Sequence, residues 1–218
     1  MIVAPKKITL HRAKPKRFYT PEEYFEIDEC SEERLEYVDG EIRKMAGSSY
    51  DHNDIAGNIY SNLKAQFRGR HCKAHIESIR VRVSEERYRY PDVVAFCGEA
   101  QSLDTNPKTL MNPGAIFEVL SPSTKNKDAG EKFEEYAQIP TLTDYVLAAQ
   151  ETMRVRHYRR LNGKDWQVSI YTLPEDVVRL ESLDAALTLA DIYDEITFPK
   201  LPALSRAQAK KQAVRRMR

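Results

Sequence analysis

A single α/β domain, built on a central mixed β-sheet flanked by helices, is the fold class that this sequence predicts. Three observations carry it. A helix start is spelled out at Thr20-Pro21-Glu22-Glu23. Hairpin turns stand at Asp39-Gly40 and Asn162-Gly163-Lys164-Asp165, and short apolar runs between them alternate with helical spacings. Helices mixed with hairpins and isolated buried strands fit one layered domain, and 218 residues suffice for one with a good core.

Thr20 suits an N-cap, Pro21 the first helical position, and Glu23 closes a capping box, so a short helix is expected to end near Asp28. Leu35-Glu36-Tyr37-Val38 and Glu41-Ile42-Arg43-Lys44-Met45 flank Asp39-Gly40, a pair matched to a type I′ turn because that turn needs positive φ. From about Tyr50, Ile55, Ile59, Leu63 and Phe67 recur every four residues, which predicts a helix ending before Gly69. Residues 72–83 alternate in part, with Ile79, Val81 and Val83 set against Arg80 and Arg82, and read as a half-buried strand. Strands follow at about 89–97 and 115–120, joined by a loop holding Asn106-Pro107 and Asn112-Pro113-Gly114. A helix is expected from about Asp128 to Gln138, stopped by Pro140. Asp144-Tyr145-Val146-Leu147-Ala148 reads as a buried strand, 153–159 and 166–173 as a hairpin, and 187–192 as an apolar cover for the sheet.

With 41% hydrophobic and 31% charged residues the chain reads as a globular, soluble protein. No apolar run approaches the ~18 residues of a membrane span, and no apolar segment follows the basic N-terminus as in a secretory signal. Cys30, Cys72 and Cys97 are odd in number and lack a Cys-x-x-Cys pair, which argues against zinc and against a disulfide framework and places the chain in a reducing cytoplasm. The net charge of +1 conceals an asymmetry. Residues 1–17 form a basic arm with six Lys/Arg and no acid, and 199–218 a basic tail, expected to be helical from Leu204, with seven and none. The domain between, 18–198, keeps 21 basic against 33 acidic residues. Such a pattern suits a body that gathers metal and ends that meet a polyanion, although charge runs also serve simply as solvated faces.

Two of the apolar runs each carry one acid: Tyr90-Pro91-Asp92-Val93-Val94 and Ile116-Phe117-Glu118-Val119-Leu120. A carboxylate in a buried strand must be paired, protonated or bound to a cation. Two of them at a shared edge suit a hard, oxygen-preferring ion such as Mg²⁺. Glu36 offers a third oxygen, and Asp128, Lys132 and Tyr136, four apart, share one helix face. Each residue also has a plain structural reading. Asp92 can accept backbone donors at a strand end, Glu118 can simply pair with Lys132, and Glu36 can face solvent. His52 can cap or pack in a first helical turn, and Tyr136 can belong to the core. Ser121 lacks the Gly-x-Ser-x-Gly elbow of a hydrolase triad.

The segments Glu36-Tyr37-Val38-Asp39-Gly40-Glu41, His52, Tyr90-Pro91-Asp92-Val93-Val94 and Glu118-Val119-Leu120-Ser121-Pro122-Ser123-Thr124, followed by Asp128, Lys132 and Tyr136, resemble the Uma family of restriction endonuclease-like proteins. That family belongs to the PD-(D/E)XK nuclease superfamily, and the resemblance spans about residues 18–198. It implies a restriction endonuclease-like fold and a Mg²⁺- or Mn²⁺-dependent endonuclease acting on DNA. It further implies that Asp92 and Glu118 are metal ligands, that Glu36 supports the site, and that the Val119 carbonyl touches the metal. The superfamily's lysine two residues after the second acid is replaced here by Leu120. Lys132, from the next helix, is expected to supply the missing charge. A second departure stands at Asp144-Tyr145-Val146-Leu147-Ala148-Ala149, where many relatives carry Trp after the Tyr. The missing strand lysine keeps open an alternative, a catalytically inactive nuclease fold serving as a DNA-binding or assembly module. A metal-dependent hydrolase of small phosphate esters is a third. A homodimer would let paired sites cut both strands of a duplex.

Overall fold

The computed structural model describes residues 18–45, 47, 49–103, 106–121 and 130–198. Both basic arms, with the helix expected from Leu204, lie outside the described residues. So do residues 122–129, which hold Asp128 and the start of its expected helix.

Helix α1 (Pro21–Cys30) forms both bonds of the capping box: the Thr20 hydroxyl accepts from the Glu23 amide, and the Glu23 carboxylate accepts from the Thr20 amide. It runs two residues past the expected end. Strands β1 (Leu35–Val38) and β2 (Glu41–Lys44) meet at Asp39 and Gly40, with φ of 50° and 87°. A Cβ at Gly40 would stand 2.8 Å from the Phe18 ring, so glycine is needed there twice over. Ser49 caps helix α2 (Tyr50–Gln66), which buries Ile55, Ile59 and Leu63. Each such side chain contributes about 1.5–3 kcal/mol of burial.

The expected strand over 72–83 is in fact two strands in different sheets. Strand β3 (Cys72–Ile76) ends before Glu77, whose φ of 47° turns the chain, and β4 (Arg80–Ser84) starts a new ladder. Arg80, expected to face water, is 1% exposed. Its guanidinium donates to Asp28 Oδ2 at 2.7 Å and Thr109 Oγ1 at 2.9 Å and lies over the Phe25 ring. Strands β5 (Arg87–Arg89), β6 (Val93–Cys97), β7 (Ser102–Leu103), β8 (Asn106–Leu110) and β9 (Ala115–Leu120) follow, so the expected loop contains two strands. Helix α3 (Glu131–Tyr136) leads to β10 (Asp144–Ala149), then to the hairpin β11 (Val155–Asn162) and β12 (Asp165–Tyr171). The apolar stretch near 187–192 divides into β14 (Ala185–Thr188), paired with β13 (Val177–Leu180), and helix α4 (Leu189–Ile192).

The central sheet has the order β12-β11-β10-β9-β6-β3 and is mixed: β9 and β10 are parallel, the other pairs antiparallel. A second six-stranded sheet, β2-β1-β5-β4-β8-β7, was not legible as a sheet of its own. The central sheet is buried on both faces. Val93, Ala95, Phe117 and Val119 pack under α2, α4 and the β13–β14 hairpin. Val94, Phe96, Ile116, Tyr145 and Leu147 pack against Tyr136, Ile139 and Leu142 on the other side. Strand periodicity therefore points Glu118, two residues from Ile116, toward α3.

The cysteines correct an expectation. Cys72 and Cys97 are joined by a disulfide, and Cys30 is free and exposed. They stand on one rung of the β3–β6 ladder. A separation of 25 in sequence hides a neighbour relation that strand register alone creates. Among the described residues no helix is long and apolar enough to cross a membrane.

Candidate active site

The β6–β9 register builds the site. Its last rung pairs Val93 with Phe117, and continuing it by one residue sets Asp92 beside Glu118. The Val119 amide closes the corner by donating to Asp92 Oδ2 at 2.7 Å. Both acids are buried, Asp92 at 6% and Glu118 at 4% exposure. Tyr90, whose hydroxyl donates to Asp28 Oδ2 at 2.6 Å, anchors the segment entering Asp92. On the far side the Asp92 carbonyl accepts from the Glu77 amide at 2.8 Å.

Glu118 is met from α3. Lys132 Nζ lies 3.0 Å from Oε2, and the Tyr136 hydroxyl donates to Oε1 at 3.0 Å. Lys132 and Tyr136 are four residues apart, one helical turn, so one face of a short helix delivers a cation and a neutral donor to the same carboxylate. Burial, reinforced by the Glu118 charge, pushes the Tyr136 phenol well above its ordinary range and keeps its proton in place. Leu120 packs beside the α3-side core.

His52 approaches Asp92 from the first turn of α2. Its amide donates to Ser49 Oγ at 3.2 Å, and Ser49 Oγ also accepts from Gln150 Nε2 at 2.7 Å. The ring Nε2 sits 3.1 Å from Asp92 Oδ1. Burial lowers the imidazole pKa, the Glu77 charge pulling the other way. Asp92 also lines a cleft of about 350 Å³ with Glu32, Arg34, Met45, Gly47, Asn53 and Glu77. Glu77 Oε2 pairs there with Arg34 Nη1 at 3.0 Å. Nothing in the local sequence marks Glu77; the chain reversal at positive φ brings it in.

Glu36 stands on β1, and its Oε2 accepts from Arg89 Nη1 at 2.6 Å. The same guanidinium donates to both oxygens of Glu135 on α3. Burial pulls the Arg89 pKa down, but Glu36 and Glu135 more than offset it and hold it above the ordinary range. Arg89 thus ties α3, which carries Lys132, to the second sheet. Arg89 and Glu135 escape a sequence reading because each belongs to an unremarkable charged run.

Asp92 and Glu118 are the side chains that could hold a hard divalent ion. Asp92 Oδ1 and the Glu118 carboxylate are oxygen donors at adjacent positions, walled by apolar side chains, with the Val119 backbone between. Among the described residues no three His, Cys, Asp or Glu side chains surround one point, so water and phosphate oxygens would complete the sphere.

Sheet order and helix placement define a mixed α+β domain. A crystal structure described as "a putative nuclease belonging to DUF820" from Anabaena variabilis ATCC 29413 matches with a TM-score of 0.66. The match covers 80% of this chain and 97% of that one at 18% identity, a likeness of fold. The chain belongs to the Uma2 family, described as "Putative restriction endonuclease", whose profile matches residues 21–191. Two relatives come from Synechocystis sp. (strain ATCC 27184 / PCC 6803 / Kazusa). The uncharacterized protein sll1609 is 33% identical over 151 residues, 69% of this chain and 85% of the relative. The uncharacterized protein slr1290 is 30% identical over 180 residues, 82% of this chain and 93% of the relative.

Proposed function

We propose that this chain is a metal-dependent endonuclease hydrolysing DNA phosphodiester bonds, with Mg²⁺ or Mn²⁺ at Asp92 and Glu118. The observation that carries the reading is a pair of buried acids, each one residue beyond the Val93–Phe117 rung, with Lys132 3.0 Å from the second. Membership of the Uma2 family supports the nuclease class and a DNA substrate.

Asp92 and Glu118 would hold the divalent ion, which when bound would supply Lewis-acid polarisation of the scissile phosphate and a lowered pKa for the attacking water. Asp92 holds its orientation through the Val119 amide, and Glu118 through Tyr136. The Val119 carbonyl is a further oxygen donor beside them. Lys132 keeps a positive charge for the phosphoryl oxygens as negative charge develops on them. Hydrolysis adds one water across a P–O bond, leaving a phosphate monoester and a hydroxyl. Glu36 acts here through Arg89, holding α3 in place. A DNA substrate suits a cytoplasmic location. Two copies on one duplex would cut both strands.

Cleavage of a supercoiled plasmid with Mn²⁺ or Mg²⁺ tests the reading. Wild type is expected to nick or linearise it, Asp92→Ala to leave it intact, and Lys132→Ala to cut about 10²–10³-fold more slowly. Equal cutting by wild type and Asp92→Ala would remove the site assignment. DNA binding without cleavage would favour an inactive binding module.

A further inference from the structure

An edge strand offers its outer backbone donors and acceptors to any strand that can pair with them, and proteins blunt such edges with charge, proline or short length. Three of the four edges of the two six-stranded sheets are blunted in this way. Strand β2 reads Glu-Ile-Arg-Lys, β7 has two residues, and β3 carries Lys73 and His75. Among the described residues β12 is the exception: it runs seven residues with no charge after Asp165 and no proline. Val168 and Ile170 on it are 52% and 51% exposed.

The phase of the ladder settles which β12 groups face outward. The Arg160 amide donates to the Thr143 carbonyl at 2.8 Å, and the Arg154 carbonyl accepts from the Ala149 amide at 2.9 Å. Alternate residues from Arg154 to Arg160 therefore turn their backbone groups toward β10. In an antiparallel pair, opposite residues either bond to each other or both point away. Trp166, Val168 and Ile170, opposite Arg160, Tyr158 and Arg156, thus aim their N–H and C=O groups at the open edge. Their side chains share one sheet face. Trp166 is held there, its ring against Phe133 and under the Arg160 guanidinium.

We propose that β12 pairs antiparallel with β12 of a second copy about a dyad at Val168, joining the two central sheets into one. The strand is complementary to itself in that register. The two Val168 residues exchange both backbone bonds, and each Trp166 exchanges both with Ile170 of the other copy, so every outward group is used. Trp166 then stands over Ile170 and Val168 over its equivalent, the aromatic and β-branched pairing that favours strands. On the other face Gln167 meets Ser169, and Asp165 meets Tyr171, so no like charges oppose each other. Strand β9 lies three strands in from the joint, and each copy's Asp92–Glu118 corner stays away from it.

Sedimentation velocity of the full chain across a concentration series, with amide hydrogen exchange read residue by residue by NMR, tests the surface. Wild type is expected to dimerise with a Kd in the micromolar range or tighter. The amides of Trp166, Val168 and Ile170 should be protected in the dimer and exchange rapidly once dilution separates the copies. Those of Gln167 and Ser169 face β11 and should stay protected in both states. Val168→Lys sets two lysines face to face on the dyad and should raise the Kd at least about tenfold. Its circular dichroism should match wild type, because the side chain is half exposed. A chain that stays monomeric with the three amides exchanging overturns the proposal. A dimer that leaves them exchanging overturns it too, since another face then forms the contact. A monomer in which they are protected means that a segment of the same chain covers the edge, and the second copy is excluded. The exchange is read on wild type, so the outcome does not depend on any variant folding, and plasmid cleavage tests the nuclease reading separately.

Discussion

Burying Glu118 with its charge costs several kcal/mol unless partners meet it, and α3 supplies them on both oxygens. The two partners differ in kind. Lys132 brings a charge that a phosphate can also use, whereas Tyr136, fully buried, brings a proton it does not release. Tyr136→Phe keeps the ring in the core and removes only the O–H. It is expected to destabilise the chain by about 1–3 kcal/mol, read as a lowered midpoint in urea denaturation with an unchanged slope. A change near zero would mean that water reaches Glu118 Oε1. The sequence spacing of Lys132 and Tyr136 places them on one face, and the contact with Glu118 follows once α3 lies over β9. His52 is different. Its helix position is legible from Ser49 and the apolar period, but its approach to Asp92 depends on where β6 begins.

At the scale of elements, the placement of α3 rests on Arg89 between Glu36 and Glu135. Removing the central charge from such a half-buried triad leaves two acids facing each other. Arg89→Ala is expected to cost about 3–5 kcal/mol and to slow cleavage by loosening Lys132, as measured by urea denaturation and plasmid cutting. Glu36→Gln separates the two parts open to that residue. A latch predicts lower stability with Mn²⁺ binding kept, and a metal ligand predicts lost Mn²⁺ binding in calorimetry. Elements with local signals were legible: the capping box at Thr20, the positive-φ turn at Asp39-Gly40 and the four-residue period of α2 all act within a few residues. The break between β3 and β4 was not, because Glu77 adopts positive φ with no glycine or asparagine to announce it. Arg80 looks like the polar half of an alternating strand, and only the packing of α1 over the second sheet buries it against Asp28.

At the scale of the whole molecule, the sequence sets an acidic domain between two basic arms. Residues 199–218 carry seven Lys/Arg and no acid. Deleting them is expected to weaken DNA binding and to flatten its salt dependence, each lost phosphate contact lowering the log–log slope by about 0.9. Fluorescence anisotropy across a salt series measures it. An unchanged slope would reduce the tail to a solubilising segment.

By itself the sequence determined the local elements, the two acid-bearing strands and the pattern of the Uma2 family. Those follow from periodicity, turn geometry and the rarity of acids in apolar strands, all of which act over short stretches of chain. Only the tertiary structure decided which side chains meet. Strand register joined Cys72 to Cys97 and Asp92 to the Val119 amide, sheet pairing gave Glu36 to Arg89, and the start of β6 set His52 beside Asp92. Contacts between residues tens of positions apart depend on how elements pack, and no local spacing encodes that.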